Sequence, residues 1–253
     1  MSQGKDPRFL ASIYVPGSSL LGSTMQFQRG LILKDGSKYY AQSAPGPSYL
    51  LETYIDPETQ RKDTIFGKDG GTYTGDASKT GFNIRKFVNE NLKTEAQWDF
   101  GKTETSFPIF RLAEVYLNLA EAAVEMGKYQ TEAFEAIKKI RDRAGVVTPF
   151  AVVDVEKVRH ERQVELAFEG HRFWDMKRWR IAHLPVDQGG LNGFRGAGLH
   201  PFFDLRIRKY VFEVANDLPK RQRVFTEKNY YTKFSGNDMN SNPSLIQNPE
   251  FLN

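Results

Sequence analysis

The sequence has no cysteine, few histidines and no long apolar run. Without cysteine there are no disulfide bonds, no thiol catalysis and no thiolate metal sites, and no side chain that a lipid anchor would need. The 4 histidines are dispersed along the 253 residues, so we expect no metal and no cofactor. No apolar run reaches the roughly 18 residues of a membrane-spanning helix, and the first residues lack the apolar segment of a signal peptide.

An excess of charge of one sign is also missing. The chain has 35 Lys and Arg residues against 31 Asp and Glu residues, which gives a net charge of +4. The densest basic run, Lys177–Arg180, has acidic residues within helical reach. Because a nucleic-acid-binding protein concentrates its basic residues on one face, we predict no nucleic-acid partner.

The common catalytic motifs are absent as well. Gly101-Lys102-Thr103 resembles the end of a phosphate-binding loop, but Ala96 stands where that loop needs its first glycine. Neither a Gly-x-Ser-x-Gly elbow nor a His-Glu-x-x-His motif occurs. We therefore expect no catalytic residues, and a carbohydrate-active enzyme is the least supported of the functional hypotheses.

The sequence pattern divides the chain into three segments within one predicted domain, residues 1–253. Residues 1–105 are loop-rich with hairpin signals such as Asp35-Gly36, residues 106–184 carry the helical core, and residues 185–253 are irregular. The predicted fold class is mainly α (α+β). It consists of a tetratricopeptide-like helical pair and further helices, with loop-rich and short β-hairpin additions.

The helical pattern is clearest from Ile109 to Met126, where two apolar stripes run side by side. A helix of this kind is expected to pack on two neighbours. Gly127 should end it, and a second helix should follow and end at Gly145. The pair resembles one tetratricopeptide unit, which needs neighbours to bury its faces.

Later elements are predicted from shorter patterns. Asp154 is expected to cap a third helix that runs to about Phe168, with Gly170 as a candidate interruption before the helical stretch His171–Ile181. Tyr210–Val214 and Arg223–Phe225 are predicted to be short strands.

The most charged stretch of the chain is Glu161–Trp179. When residues 158–179 are projected as one helix, Glu161, Glu165 and Glu169 fall on the side that also carries apolar residues. Carboxylates stacked in this way repel each other unless cations lie between them. One interpretation is a metal or acid/base site, and the other is a buried Arg–Glu network that fixes how helices cross. We favour the network, since the nearest histidines do not fit metal-ligand spacing. Its expected members are Arg111, Glu161, Arg162, Glu165, Glu169 and Arg172.

Aromatic residues are the remaining candidates for ligand binding. Several lie in polar, glycine-rich surroundings, where an exposed ring could stack on a sugar or a peptide side chain. The alternative is that each ring packs down on the helical layer. The candidate ligand-binding residues are Tyr39, Tyr40, Tyr54, Tyr73 and Trp98.

Several segments, in the same order along the chain, resemble the SusD/RagB family of nutrient-binding proteins. The matching segments are Lys5–Phe9, Gly81–Phe87, Phe110–Glu114, Glu161–Trp179 and Asn242–Pro249. Glu250-Phe251 stands where the family usually ends in Gly-Tyr. Family members are longer as a rule, and Asp6-Pro7-Arg8 normally falls near their middle, so the chain resembles a C-terminal portion.

The resemblance implies a non-enzymatic protein on the surface of the outer membrane. It would bind a glycan or an oligopeptide and deliver it to a SusC-like TonB-dependent transporter. The alternative is a helical-repeat-like scaffold that binds a protein partner and has no small-ligand site of its own. Ligand-binding loops differ widely among family members, so no binding residue is carried over from the family.

Overall fold

The computed structural model describes residues 4–39, 52–69, 80–92, 105–194, 198–215 and 222–252. The chain divides into two compact units. The larger unit comprises Met1–Glu169 and Ala197–Leu218, and the smaller comprises Gly170–Gly196 and Pro219–Asn253. The predicted fold class is confirmed, since helices predominate and the strands are short. The single domain over residues 1–253 stays a prediction.

Helices form most of the regular structure. The α-helices are α1 (Pro7–Ser12), α2 (Leu112–Glu125), α3 (Gln130–Arg143), α4 (Val155–Glu165), α5 (His171–Arg178) and α6 (Gly236–Ser241). Short 3-10 helices span Val186–Gln188, Glu227–Tyr230 and Pro249–Phe251. Within the described ranges, none of the helices combines the length and the apolar composition needed to cross a membrane.

The core of the larger unit lies between α2, α3 and α4. Leu117 and Ala120 of α2 pack against Ile137 and Ile140 of α3, and Val158 of α4 closes the cluster. Alanines along α2 and α3 let the two helices approach closely, as the predicted helical pair requires. Only one of the two apolar stripes of α2 is buried in this way.

The second stripe of α2 faces outward. Leu112, Val115, Leu119 and Met126 are all exposed, although their spacing is that of a packed helix face. The prediction that α2 packs on two neighbours is confirmed, since α3 and α4 both pack against it. Among the described residues, however, none covers the stripe of Leu112, Val115, Leu119 and Met126.

The continuous helix assumed over residues 158–179 is wrong. The chain leaves helical geometry after Glu165, and α5 begins only at His171. Phe168 and Gly170 between them both have positive φ angles, which an α-helix cannot contain. The predicted cap of the third helix is correct, since the Asp154 carboxylate accepts a hydrogen bond from the backbone N–H of Lys157 at 2.8 Å.

Strands in the larger unit are mostly two or three residues long. They are β1 (Ile13–Tyr14), β2 (Ser19–Leu20), β3 (Ser23–Thr24), β4 (Leu31–Ile32), β5 (Lys38–Tyr39), β6 (Thr53–Ile55), β7 (Lys62–Thr64), β8 (Asn83–Ile84), β9 (Gly198–Asp204) and β10 (Lys209–Ala215). A four-stranded sheet has the order β10-β9-β4-β5, in which β4 and β9 are parallel and the other pairs antiparallel. The predicted turn at Asp35-Gly36 connects β4 to β5, and Gly36 has a φ of 86°.

One of the two later strand predictions is confirmed and the other is wrong. The predicted strand at Tyr210–Val214 lies within β10, but its partner β9 was not predicted, because Pro201 makes its sequence look unlike a strand. The ladder between β9 and β4 pairs only Phe203 and Asp204 of β9, so the proline lies beyond it. Arg223–Phe225 is not a strand, and Phe225 instead packs with Met176 and Ala182 in the core of the smaller unit.

The two faces of α2 predict different responses to truncation. Leu117 is fully buried, so Leu117→Ala should lower the free energy of unfolding by about 2–5 kcal/mol. Leu119 lies two residues away and is 47% exposed, so Leu119→Ala should cost only about 0.5 kcal/mol. Urea unfolding followed by circular dichroism would measure both variants. Equal losses would contradict the exposure of this helix face.

Candidate functional site

Three buried glutamates lie at the C-terminal end of α4 and in the turn that follows it. Glu161 and Glu165 are one helical turn apart on α4, and Glu169 comes four residues later. All three are at most 5% exposed. A buried carboxylate that stays ionised needs compensating positive charge, so the cations around these residues decide what the cluster can do.

Glu161 and Glu165 share one arginine. Nη1 of Arg8 donates to Oε1 of Glu161 at 2.6 Å and to Oε2 of Glu165 at 2.9 Å. Glu161 also accepts from Arg141 at 2.7 Å, while Oε1 of Glu165 accepts from Arg111 and Arg143, each at 2.6 Å. These contacts engage all four carboxylate oxygens of the two residues.

Glu169 is held by a second pair of cations. Arg111 donates to both of its oxygens, through Nε at 2.7 Å and Nη2 at 2.8 Å, and Lys86 Nζ lies 2.5 Å from Oε1. The two-pronged geometry from Arg111 is the stronger form of a guanidinium–carboxylate contact. Arg111 therefore joins Glu169 to Glu165 in one network.

The same contacts set the pKa values of the network. Burial lowers the pKa of Arg8, but hydrogen bonds to Asp6 and Glu161 outweigh it, so the pKa lies above the usual range for arginine. Burial raises the pKa of Glu169, but Arg111 and Lys86 lower it by more, so the pKa falls below its ordinary value of 4.5. Both groups are held in their charged forms.

Two further arginines expected in the network make contacts with other residues. Arg162 is buried on a different side of α4, where it donates to Asn118 at 2.8 Å and lies 3.5 Å from Glu114. Arg172 belongs to the smaller unit, where its guanidinium lies 5.9 Å from the centre of the Trp179 ring. The chain leaves helical geometry after α4, so the helical projection does not apply to Arg172.

Arg8 and Lys86 were not assigned to the network from the sequence. Arg8 is 153 residues from Glu161, so no local pattern connects the two side chains. Both residues lie in segments that resemble the SusD/RagB family, Arg8 in Lys5–Phe9 and Lys86 in Gly81–Phe87. That resemblance was the signal from which they could have been found. Among the residues that the structure describes, no group of His, Asp or Glu side chains is arranged to hold a metal ion.

Two of the aromatic candidates come together at the edge of the four-stranded sheet. The rings of Tyr39 on β5 and Tyr54 on β6 are 5.5 Å apart and inclined at 57°. Both are half-buried against the cluster that contains Leu31 and Ile65, so each keeps part of its surface exposed. The remaining candidates, Tyr40, Tyr73 and Trp98, lie outside the described residues.

Local contacts fix the positions of both tyrosines. A Cβ atom on Gly30 would lie 2.6 Å from the carbonyl oxygen of Tyr39, so only glycine permits this approach. Arg208, in the turn between β9 and β10, donates to both oxygens of Asp63 on β7 at 2.9 and 2.8 Å. Because β7 pairs with β6, this contact fixes the hairpin that carries Tyr54 against the sheet.

The network predicts a large stability loss when one carboxylate is removed. Glu165→Ala leaves Arg8, Arg111 and Arg143 without a shared acceptor and should lower the free energy of unfolding by about 3–5 kcal/mol. The matched control is Glu156→Ala on the exposed side of α4, which should cost less than about 1 kcal/mol. A fully stable Glu165→Ala protein that had lost a chemical activity would favour the metal or acid/base interpretation instead.

Acid should weaken the fold through Glu169. Its pKa is lower in the folded than in the unfolded state, so its contribution to stability is complete above its ordinary pKa of 4.5 and is lost as the pH falls through the folded-state pKa. Glu169→Gln should therefore be less stable than the parent at neutral pH and should lose less stability on acidification. Urea midpoints at several pH values between 7 and 3 would measure this. Parallel curves for the two proteins would contradict it.

Comparisons with known proteins show which family the chain is similar to. The sequence model of the SusD family matches residues 1–251. SusD-like protein P2 of Formosa agariphila is 31% identical over 101 residues, covering 36% of this chain and 20% of that protein. SusD-like protein P25 of the same organism is 39% identical over 80 residues, covering 29% of this chain and 15% of that protein.

A solved structure of a SusD-like protein is similar to this chain in sequence and in fold. The crystal structure of a SusD-like carbohydrate-binding protein from Bacteroides fragilis has 26% sequence identity and a TM-score of 0.57. The match covers 97% of this chain and 42% of that protein, so the chain spans less than half the length of this relative. Since the family match extends over nearly the entire sequence and the fold agrees, the chain belongs to the SusD family.

Proposed function

We propose that this chain binds a glycan at the cell surface and delivers it, chemically unchanged, to a SusC-like TonB-dependent transporter of the outer membrane. The observation that carries the proposal is the SusD family match over residues 1–251. The solved relative from Bacteroides fragilis, which matches 97% of this chain, is named as a carbohydrate-binding protein. An oligopeptide is the other ligand class that the sequence resemblance allows.

The chemistry of the buried glutamates supports binding without catalysis. A glycosidase needs one carboxyl group that donates a proton and a second that acts as nucleophile or base, both reaching the substrate. Here Glu161, Glu165 and Glu169 are buried and their oxygens are occupied by arginine and lysine side chains. Such carboxylates have no free oxygen to offer a substrate, so the network acts as scaffolding.

The Tyr39–Tyr54 pair supplies a surface suited to a sugar. The apolar face of a pyranose ring packs on an aromatic ring, while the phenolic hydroxyls are available for hydrogen bonds to sugar hydroxyls. Two rings inclined at 57° form a shallow corner rather than a flat plate. This arrangement fits a bent oligosaccharide better than an extended apolar ligand.

A protein-interaction scaffold is the second candidate function. The exposed stripe of α2, formed by Leu112, Val115, Leu119 and Met126, supports it. Contiguous apolar surface on a helix ordinarily marks a protein contact. In that case the chain would act through its helical pair and would bind no small ligand.

A glycan and peptide array probed with the purified chain distinguishes these functions. The glycan proposal predicts binding to a limited set of sugars, reduced about tenfold in Tyr54→Ala through loss of ring stacking. Tyr39→Ala should have a similar effect because the two rings form one corner. A matched control is Tyr129→Ala, since Tyr129 is exposed at the start of α3 and distant in sequence from the pair.

Other outcomes would support the competing functions. Time-dependent cleavage of an arrayed sugar would establish an enzyme and overturn the proposal. If the chain binds no sugar or peptide but does bind a protein, and Leu119→Glu weakens that binding, the scaffold function is favoured.

A further inference from the structure

A cavity of about 410 Å³ lies between α1 and α4 in the larger unit. Its volume is within the roughly 300–1,000 Å³ typical of small-ligand sites, and its walls are mostly apolar. The apolar lining residues are Phe9, Ile13, Val164, Ala167 and Phe168. Arg8 of the charge network also lines the cavity, so the cavity adjoins that network, but neither Tyr39 nor Tyr54 is among its lining residues.

Phe168 has an unusual backbone conformation. Its φ angle is 66°, in the left-handed region that a residue with a Cβ atom rarely adopts. Glycine ordinarily takes such a position just after a helix. Strain of this kind persists only where the surroundings enforce it, and it is concentrated at ligand-binding and catalytic sites. Other described non-glycine residues also have positive φ angles, but Phe168 is the one among them that lines the cavity.

The charge network enforces this conformation. Lys86 Nζ donates to the carbonyl oxygens of Glu165 and Ala167 at 3.0 and 3.1 Å, and Nη2 of Arg111 donates to that of Glu165 at 2.7 Å. These bonds satisfy carbonyl groups that the end of α4 leaves unpaired. They also fix the turn, so that Phe168 remains 42% exposed and lines the cavity.

A second phenyl ring faces the cavity from α1. Phe9 is held edge-to-face by Phe82, with ring centres 6.4 Å apart and an interplanar angle of 72°. Phe9 on α1 and Phe168 after α4 therefore both line the same cavity with an aromatic ring. This arrangement suits the apolar face of a sugar ring.

The polar groups of the cavity carry a net positive charge. Asp6 is neutralised by Arg8, whose Nη2 and Nε donate to its carboxylate at 2.6 and 3.0 Å. Lys5, His160 and Gln163 are exposed and line the same cavity. Within the described ranges, no acidic side chain forms an ion pair with Lys5. This exposed ammonium group is therefore available to pair with a negative group of a ligand in the cavity.

We propose that the cavity binds an acidic sugar residue of a glycan, specifically a uronate. The sugar ring packs between Phe9 and Phe168, the carboxylate pairs with Lys5, and Gln163 and His160 bind ring hydroxyls. This inference rests on the proposed glycan binding, and it names the class of sugar and the place where the sugar is held.

Isothermal titration calorimetry on the entire chain, with matched pairs of trisaccharides, tests the proposal. The pairs are galacturonate against galactose and glucuronate against glucose, with the same linkage within each pair. At least one uronate trisaccharide should bind about tenfold more tightly than its neutral counterpart. Lys5→Gln should abolish this difference and leave the affinity for the neutral sugar unchanged.

Phe168→Gly is the most informative variant, because glycine accepts the positive φ angle without strain. It should melt no lower than the parent protein and yet bind the uronate trisaccharide about tenfold more weakly. Phe107→Ala removes an exposed ring elsewhere in the larger unit and serves as the matched control with unchanged affinity.

The possible failures are distinguishable. If the chain binds glycans but does not discriminate within either pair, or if folded Phe168→Gly binds as well as the parent, the cavity assignment is overturned and glycan binding stands. If the unmodified chain binds no sugar in calorimetry or on the array, the proposed function falls and this inference falls with it.

Discussion

The larger unit is organised by the need to neutralise three buried carboxylates on and just after α4. Removing these groups from water is costly, and the cost is offset only when several cations reach them in good geometry. Those cations come from α1, from the segment after β8, from the residue before α2 and from the end of α3. Satisfying the charges therefore fixes four separate parts of the chain against one helix. The apolar core between α2, α3 and α4 buries hydrophobic surface. The ion pairs of the network fix the positions of the four segments relative to α4.

Local signals explain which parts of the fold could be predicted. The apolar periodicity of α2 and α3, the Asp154 cap and the turn at Gly36 all depend on residues close in sequence, and each agrees with the structure. The missed features depend on distant contacts. Strand β9 contains Pro201 and is defined by its partners. The end of α4 is stabilised by Lys86 and Arg111, which donate to the carbonyl oxygen of Glu165.

The candidate site shows the same division. Helical spacing alone placed Glu161 and Glu165 on the face of Val158, which is why inward-facing acids could be predicted. The identity of their partners could not be predicted, since Arg8 approaches α4 only in the folded chain. The exposed surface of a tyrosine or phenylalanine likewise depends on what packs beside it. For the same reason, no single sequence motif predicts the cavity between α1 and α4.

The distance along the chain between Arg8 and its partners has a kinetic consequence. Arg8 is 153 residues from Glu161 and 157 from Glu165. Contacts between such remote positions form late, because the entropy of closing a long loop must be lost before they contribute. The α2–α3 hairpin can assemble from contacts close in sequence, whereas Arg8 reaches its partners only after a loop of at least 153 residues has closed. Until that loop closes, Glu161 and Glu165 lack the arginine they share, and water must solvate the carboxylate oxygens that Arg8 later binds.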